Sequence, residues 1–196
     1  MTTPALSFKE RYTYADYLTW EDEERWELIE GIAYSMSPGP NTRHQLISGN
    51  LFGIIWGFLN GKTCQVFSAP FDVRLPQSGQ SGEESDTVVQ PDVAVFCDPN
   101  KLDKQGAVGA PDWVIEVLSP STIHKDQHLK LLLYQTHGVR EYWMVDPETE
   151  RVMVHRLDEA LLRYTMPQMY DRTDTVVSAV FPELNIVLED IFGVAG

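Results

Sequence analysis

The chain has 196 residues, of which 43% are hydrophobic and 22% are charged, and its formal net charge is −14. This length suits a single domain over residues 1–196 with a substantial core, and the composition excludes a wholly disordered chain. The excess of acidic residues argues against a broad basic surface for nucleic acid, because phosphate binding normally draws on clustered lysine and arginine.

One short stretch departs from this acidic balance. Residues 124–140 contain Lys125, Lys130, Arg140 and three of the five histidines. Of all segments this stretch is the best candidate to face an anion, although its charge alone favours a solvated helix face.

The cysteines and the apolar runs indicate the cellular compartment of the protein. Cys64 and Cys97 have no CxxC spacing and no neighbouring histidine, which predicts reduced core thiols in a cytoplasmic protein. The longest apolar run, over residues 51–59, is too short to span a bilayer, and the first residues lack an apolar signal segment. We therefore expect a soluble protein without a membrane partner.

The first predicted elements are a short helix and a hairpin. Residues 12–19 suit a helix capped by Thr13, and residues 26–36 suit a strand or hairpin around Gly31. A longer helix is predicted over about residues 42–60, where apolar residues recur with helical spacing. We expect this longer helix to be largely buried.

Two strands and two loops are predicted next. The strands lie near residues 63–68 and 71–75, and the second alternates apolar and charged residues, which predicts one face in water. Residues 77–87 form a predicted mobile loop that leads into the strand of Asp92. A second predicted loop, over residues 98–110, precedes the next apolar strand.

The second half of the chain alternates helices and strands. A helix over about residues 122–137 ends at Gly138, where a glycine can cap a helix. The other predicted elements are strands at 113–118, 139–146 and 151–157, short strands and turns over 161–188, and a terminal helix near 188–192. This order favours an α/β or α+β fold, in which a mixed sheet carries helices on its faces.

Two acidic residues interrupt apolar strands. Asp92 lies within Gln90–Phe96, and Glu116 lies within Trp113–Leu118. An ionised carboxylate in such a strand costs several kcal/mol unless it is paired or binds a metal ion. Asp92 and Glu116 are therefore the first candidates for a metal site, and a turn cap or an ion pair with arginine is the structural alternative.

The helix that follows Glu116 carries further polar candidates. Asp126, Lys130 and Tyr134 occupy positions i, i+4 and i+8 and therefore share one face of an α-helix. A crossover that folds this face back over the strand brings Lys130 towards Asp92 and Glu116. The alternatives are a lysine stem that covers apolar surface and a tyrosine that only packs.

Two carboxylates with a lysine suit metal-assisted phosphodiester hydrolysis. One or two carboxylates and the substrate phosphate hold Mg²⁺, which polarises the phosphorus centre and lowers the pKa of a bound water. The lysine orients that water or offsets the negative charge that develops in the transition state.

An ordered set of motifs over roughly residues 12–150 resembles a known superfamily. The motifs are Trp26–Gly31, Met36–Pro38 with His44, Gln90–Asp92, Glu116–Thr122, Asp126 with Lys130 and Tyr134, and Gly138–Pro147. This set resembles the PD-(D/E)xK nuclease superfamily and, within it, the Uma2 family of restriction-endonuclease-like proteins.

The resemblance implies a restriction-endonuclease-like core, with a mixed central sheet flanked by helices, over about residues 12–150. It also implies a divalent metal at Asp92 and Glu116, with Glu27 as an additional acid. The superfamily pattern has lysine two residues after the second acid, where this chain has Leu118, so Lys130 is the natural substitute. The strands from residue 150 to 196 either complete the core or supply a dimer surface.

Several other residues receive weaker assignments. Strand alternation places Glu27 and Glu30 on opposite faces, so one of them reaches the site, and we favour Glu27. We expect His44, at the start of the long helix, to support the site rather than react. His124 and His128 have the i, i+4 spacing of a zinc pair but lack a third ligand in register, which favours surface histidines.

The leading functional hypothesis is a Mg²⁺- or Mn²⁺-dependent endonuclease that hydrolyses DNA. Its catalytic residues are Asp92, Glu116 and Lys130, and a homodimer would help an acidic chain to present positive charge. The alternative is a catalytically weak nuclease-fold module that acts through protein partners. An enzyme for a small phosphorylated substrate is disfavoured, because no glycine-rich phosphate loop is present.

Overall fold

The computed structural model describes residues 11–20, 24–36, 39–120, 123 and 125–193. Ser121, Thr122 and His124, which belong to the predicted helix start and histidine pair, lie outside the described residues. Ser37 and Pro38 of the Met36–Pro38 motif lie outside them as well.

Four α-helices and two other helical segments are present over the described residues. The α-helices are α1 (Tyr14–Tyr17), α2 (Thr42–Leu59), α3 (Leu131–Thr136) and α4 (Leu188–Phe192), with a 3₁₀ turn at Pro99–Lys101 and a π-helix at Lys125–Lys130. Thr13 caps α1 through a reciprocal capping box with Asp16, as its position predicts. Among the described helices, none is both long and apolar enough to cross a membrane.

Over the described residues the strands form three sheets. In chain order they are β1 (Trp26–Ile29), β2 (Ile32–Ser35), β3 (Gln65–Ser68), β4 (Val73–Arg74), β5 (Val88–Val89), β6 (Val93–Phe96), β7 (Leu102–Asp103), β8 (Gly106–Val108), β9 (Trp113–Val117), β10 (Glu141–Asp146), β11 (Arg151–Asp158), β12 (Arg163–Tyr164), β13 (Gln168–Asp171), β14 (Thr175–Val177) and β15 (Asn185–Val187).

The large sheet has the strand order β12-β11-β10-β9-β6-β3, with β13 also paired to β11. Its central strands β9 and β10 run parallel, and the π-helix with α3 forms the crossover that a parallel pair requires. The small sheet has the order β2-β1-β5-β4-β8-β7, and β14 pairs with β15 in a ribbon. The predicted α+β fold, a mixed sheet flanked by helices, is confirmed.

Two apolar clusters lie on opposite faces of the large sheet. On one face, Ile47, Leu51 and Ile55 of α2 pack against the sheet and α4. On the other face, α3 and the small sheet pack together against residues such as Val114 and Met144. The segment that carries Asp92 links the small sheet to the large one, because it connects β5 with β6.

Helix α2 is buried along one stripe and is otherwise open to solvent. Ile47, Leu51 and Ile55 are fully buried, whereas Leu46 and Trp56 are more than half exposed. The predicted bounds of the helix are confirmed, and the expectation that it is largely buried holds only for the stripe that faces the sheet.

The strand at residues 71–75 lacks the predicted wet face. Arg74 is buried with Val73, and its guanidinium donates to the Ala107 carbonyl and pairs with Asp103 at 2.5 Å. These partners belong to the hairpin of β7 and β8, which forms within the predicted loop at 98–110. The alternation of apolar and charged residues predicted an exposed face wrongly, because the charge that neutralises Arg74 comes from a later segment of the chain.

The two cysteines form a disulfide, so the prediction of reduced thiols is wrong. Gln65 of β3 pairs with Phe96 of β6 in an antiparallel ladder, and Cys64 and Cys97 lie one step beyond this pair. Their Cα atoms are 4.0 Å apart. Spacing could not reveal the pair, because strand register joins two residues that are 33 positions apart. A cytoplasmic location loses this support and stays a prediction.

We expect the double variant Cys64→Ala/Cys97→Ala to lower the free energy of unfolding by roughly 2–4 kcal/mol, because the bridge restricts the unfolded chain. Urea unfolding of the wild type with and without reductant measures this loss. The double variant is the control, since reductant should leave its unfolding curve unchanged. Two titratable thiols in the unfolded, unreduced wild type would contradict the bridge.

Candidate active site

Strand register places the two predicted metal ligands side by side. Val93 of β6 pairs with Ile115 of β9 in an antiparallel ladder, so Asp92 and Glu116 occupy the next opposite positions. The charge of Asp92 contributes to the raised pKa of Glu116, so the two carboxylates lie near each other, with Asp92 beside α2 and Glu116 beside α3. The backbone N–H of Val117 also donates to Asp92 Oδ2 at 2.8 Å, which fixes the carboxylate against β9.

His44 holds the same oxygen of Asp92 from the other side. The side chain of Asn41 caps α2 by accepting from the His44 N–H at 2.9 Å, and this places His44 in the first turn of the helix. Its Nε2 lies 3.2 Å from Asp92 Oδ2. Burial lowers the pKa of His44, but the bond to Asp92 outweighs burial and raises that pKa above its usual value. The histidine therefore contacts Asp92 directly, and its supporting role in the site stays a prediction.

Lys130 connects two buried carboxylates. Its Nζ lies 2.8 Å from Glu116 Oε1, 2.7 Å from Glu27 Oε1 and 3.6 Å from Asp126 Oδ1. Burial lowers the pKa of Lys130, but Glu116 and Glu27 outweigh it and hold that pKa well above its usual range. The ammonium is therefore a permanent positive charge inside the protein.

Glu27 is enclosed by donors and has no exposed surface. Besides Lys130, it accepts from Lys125 Nζ at 2.6 Å and from the backbone N–H of Gln90 at 3.2 Å. Burial raises the pKa of Glu27, and the two lysines more than offset this, so its pKa lies below its usual value. Both oxygens of the carboxylate proposed as a third metal ligand thus contact lysines.

Glu116 accepts a second hydrogen bond from a buried tyrosine. Tyr134 donates its hydroxyl to Glu116 Oε1 at 2.8 Å, the same oxygen that Lys130 contacts. The structure therefore brings together Glu27, Glu116, Asp126, Lys130 and Tyr134 in one buried network. Asp92 and His44 adjoin it across the β6–β9 ladder.

Lys125 is the residue of this network that the sequence interpretation missed. In an α-helix at 100° per residue, positions five apart point about 140° away from each other. A π-helix closes its turns with i to i+5 bonds, so residues five apart stack on one side. Because Lys125–Lys130 is a π-helix, its two terminal lysines both reach Glu27. Two lysines at a spacing of five were the available signal.

Burial and, to a smaller extent, neighbouring carboxylates raise the pKa of Glu116. Burial raises the pKa of Glu116 to about 8, with Asp126 and Asp92 adding to the shift and Lys130 opposing it. Glu27 supplies the counter-charge for Lys130, since its own pKa is lowered. Burial therefore favours the protonated form of Glu116, and an additional cation would favour the ionised form.

The donor set at Asp92 and Glu116 fits a hard divalent cation. Among the described residues, no three His, Cys, Asp or Glu side chains are grouped to hold a metal ion. Two carboxylates nevertheless suffice for Mg²⁺ or Mn²⁺, which prefer oxygen ligands, and Mg²⁺ commonly retains several waters. A cavity of about 120 Å³ adjoins Asp92 and is lined by residues that include Gln45, Ser48 and Ser68. It gives solvent access to the Asp92 side of the pair.

Comparison with known proteins finds one family whose model matches most of the chain. The model of the Uma2 family, described as "putative restriction endonuclease", matches residues 14–189. Two uncharacterized proteins of Synechocystis sp. are 28% and 29% identical over 148 and 145 residues, which are 74% and 71% of this chain and 74% and 77% of theirs.

A solved structure shares the fold. The crystal structure of a "putative nuclease belonging to DUF820" from Anabaena variabilis has a TM-score of 0.72 and 24% sequence identity, and the match covers 92% of this chain and 97% of that chain.

Because the pKa of Glu116 is raised, the contribution of this residue to the free energy of unfolding should depend on pH. The unfolded chain loses this proton near the usual glutamate value and the folded chain near pH 8, so the contribution of Glu116 to stability falls as pH rises between these values. We expect Glu116→Gln to gain stability over the wild type by up to about 1.4 kcal/mol per pH unit in this window. Urea unfolding in EDTA at several pH values measures the difference.

The exposed variant Glu183→Gln is the control, and its difference from the wild type should not change with pH across the same window. A Glu116→Gln difference that is likewise constant would contradict the buried, protonated state of Glu116.

Proposed function

We propose, because the chain belongs to the Uma2 family of restriction-endonuclease-like proteins, that it is an endonuclease that hydrolyses DNA with Mg²⁺ or Mn²⁺. The observation that carries this proposal is the pairing of Asp92 and Glu116 on neighbouring strands, with Lys130 Nζ 2.8 Å from Glu116.

Asp92 and Glu116 are the proposed metal ligands, and each is oriented by its own partners. The Val117 N–H and His44 hold one oxygen of Asp92, while Lys130 and Tyr134 hold one oxygen of Glu116. A divalent ion at this pair would polarise the phosphodiester and lower the pKa of a bound water. The bound ion also favours the ionised form of Glu116.

Lys130 contributes a fixed charge rather than a base. Its pKa lies well above the usual lysine value, so it does not accept a proton from water near neutral pH. Its role in the proposed reaction is to hold Glu116 in place and to offset the negative charge of the carboxylates that surround it. Leu118, at the superfamily's usual lysine position, is buried and apolar.

DNA is the proposed substrate, and the net charge of −14 shapes how it binds. Electrostatic attraction over the whole surface is weak, so binding depends on a few local cations and on the metal. A homodimer and a cytoplasmic location stay predictions of the sequence.

A second candidate is a nuclease-fold module that acts through protein partners. The observation that favours it is the complete enclosure of Lys130, whose ammonium faces carboxylates on Glu27, Glu116 and Asp126. In this case the buried network serves only to hold the two sheets together.

Cleavage of plasmid and single-stranded DNA separates the two candidates. With Mg²⁺ or Mn²⁺, we expect the wild type to cleave and both Asp92→Asn and Glu116→Gln to lose at least about a hundredfold in rate. Lewis-acid stabilisation is worth several kcal/mol, and each 1.36 kcal/mol corresponds to a factor of ten. Gel analysis of the products over time measures the rates.

Glu183→Gln, an exposed acid in the C-terminal region, is the matched control and should cleave like the wild type. Equal rates for all four proteins would identify a contaminating nuclease. A wild type that cleaves neither DNA with either metal favours the partner-binding module.

A further inference from the structure

We infer that Lys125 is the side chain of this site that binds a backbone phosphate of the nucleic acid, whereas Lys130 acts only on the carboxylates around it. This inference rests on the proposed nuclease function. It names a substrate-binding residue that neither the helical spacing nor the motif pattern identifies.

Burial and three nearby carboxylates keep a substrate away from Lys130. A lysine ammonium has three N–H groups. Three carboxylates surround the Lys130 ammonium, at 2.7 Å for Glu27, 2.8 Å for Glu116 and 3.6 Å for Asp126. Only 4% of the side chain is exposed. A phosphate could reach this ammonium only by displacing a carboxylate from a buried ion pair.

Lys125, in contrast, is partly exposed and uses only one of its N–H donors among the described residues. Its side chain is 14% exposed, although its partner Glu27 is completely buried. Among the described residues, its Nζ forms one hydrogen bond, to Glu27 Oε2, and otherwise lies 5.7 Å from the centre of the Tyr34 ring. Its other two N–H groups have no acceptor among the described residues, and the side chain is in contact with solvent.

The local arrangement also suits an anion at Lys125. Glu116 and Asp126 face the Lys130 ammonium. Lys125 instead pairs with the oxygen of Glu27 that Lys130 does not contact. Glu27 holds the Lys125 ammonium in place, which lowers the entropy that the lysine loses when it binds a ligand. A phosphodiester oxygen can therefore bind the Lys125 ammonium beside Glu27.

The contact predicted here is with the sugar-phosphate backbone, not with a base. Lysine binds phosphate as a point charge, and phosphate contacts position a nucleic acid without reading its sequence. The π-helix gives the contact its geometry, because it directs both lysines of the segment towards Glu27 while leaving Lys125 at the outer end.

Salt-dependent binding tests this contact without any cleavage. A fluorescein-labelled single-stranded oligonucleotide is titrated with the full chain in EDTA at several KCl concentrations, and anisotropy gives the affinity. We expect Lys125→Met to weaken binding about tenfold, as for loss of one hydrogen bond to a charged group. The slope of log affinity against log salt should fall in magnitude by about 0.7, the value for one phosphate contact with a single strand.

Lys104→Met is the matched control, because it removes the same charge from the exposed turn between β7 and β8. That turn lies at one edge of the small sheet, beside β7. Three strands separate β7 from β1, which carries Glu27. The affinity of the Lys104→Met variant for the oligonucleotide should differ from the wild-type affinity by less than about twofold, because the removed charge is exposed and distant. Lys125→Arg, which retains the charge, should keep the wild-type slope.

Lys125→Gln, which keeps a donor for Glu27, is the second variant if Lys125→Met does not fold. The inference is supported if the slope of log affinity against log salt is smaller in magnitude for the uncharged Lys125 variant than for Lys104→Met. This result counts whether or not the wild type cleaves DNA. Equal slopes for these variants, or a wild type that binds no oligonucleotide, would overturn it. The cleavage assay decides the proposed function separately, so the two can fail independently.

Discussion

One buried carboxylate between two lysines is the interaction on which the rest of the site depends. Glu27 belongs to the small sheet, whereas Lys125 and Lys130 belong to the crossover that follows strand β9 of the large sheet. Burying charges costs several kcal/mol each, and removal of one partner leaves another charge uncompensated. The ion pairs therefore fix the distance between the two sheets at the place where Glu116 and Asp92 meet.

The π-helix makes this arrangement sterically available. Helical segments with i to i+5 bonds are rare and often occur at functional sites. Here the wider turn brings Lys125 and Lys130 to one carboxylate, and α3 continues from it to carry Tyr134 to Glu116. A regular α-helix over the same residues would direct Lys125 away from Glu27. The local irregularity thus determines which cation lies deep in the protein and which one remains near solvent.

Much of the site could be predicted from the sequence, because its strongest signals are local. Asp92 and Glu116 stand out as single acids in apolar strands, and helical spacing directs attention to Lys130. The features that could not be predicted depend on distant partners. Arg74 is buried because an aspartate from a later hairpin neutralises it, and the disulfide between Cys64 and Cys97 depends on the register of two strands.

The central claim is that Asp92 and Glu116 bind the divalent ion, while Glu27 binds lysines instead of metal. Anomalous diffraction from crystals of the protein grown with Mn²⁺ tests this claim most directly. The account predicts an anomalous peak in contact with carboxylate oxygens of both Asp92 and Glu116, with Lys125 and Lys130 still bound to Glu27. A peak coordinated by Glu27 with the lysines displaced, or no peak at the Asp92 and Glu116 pair, would contradict it.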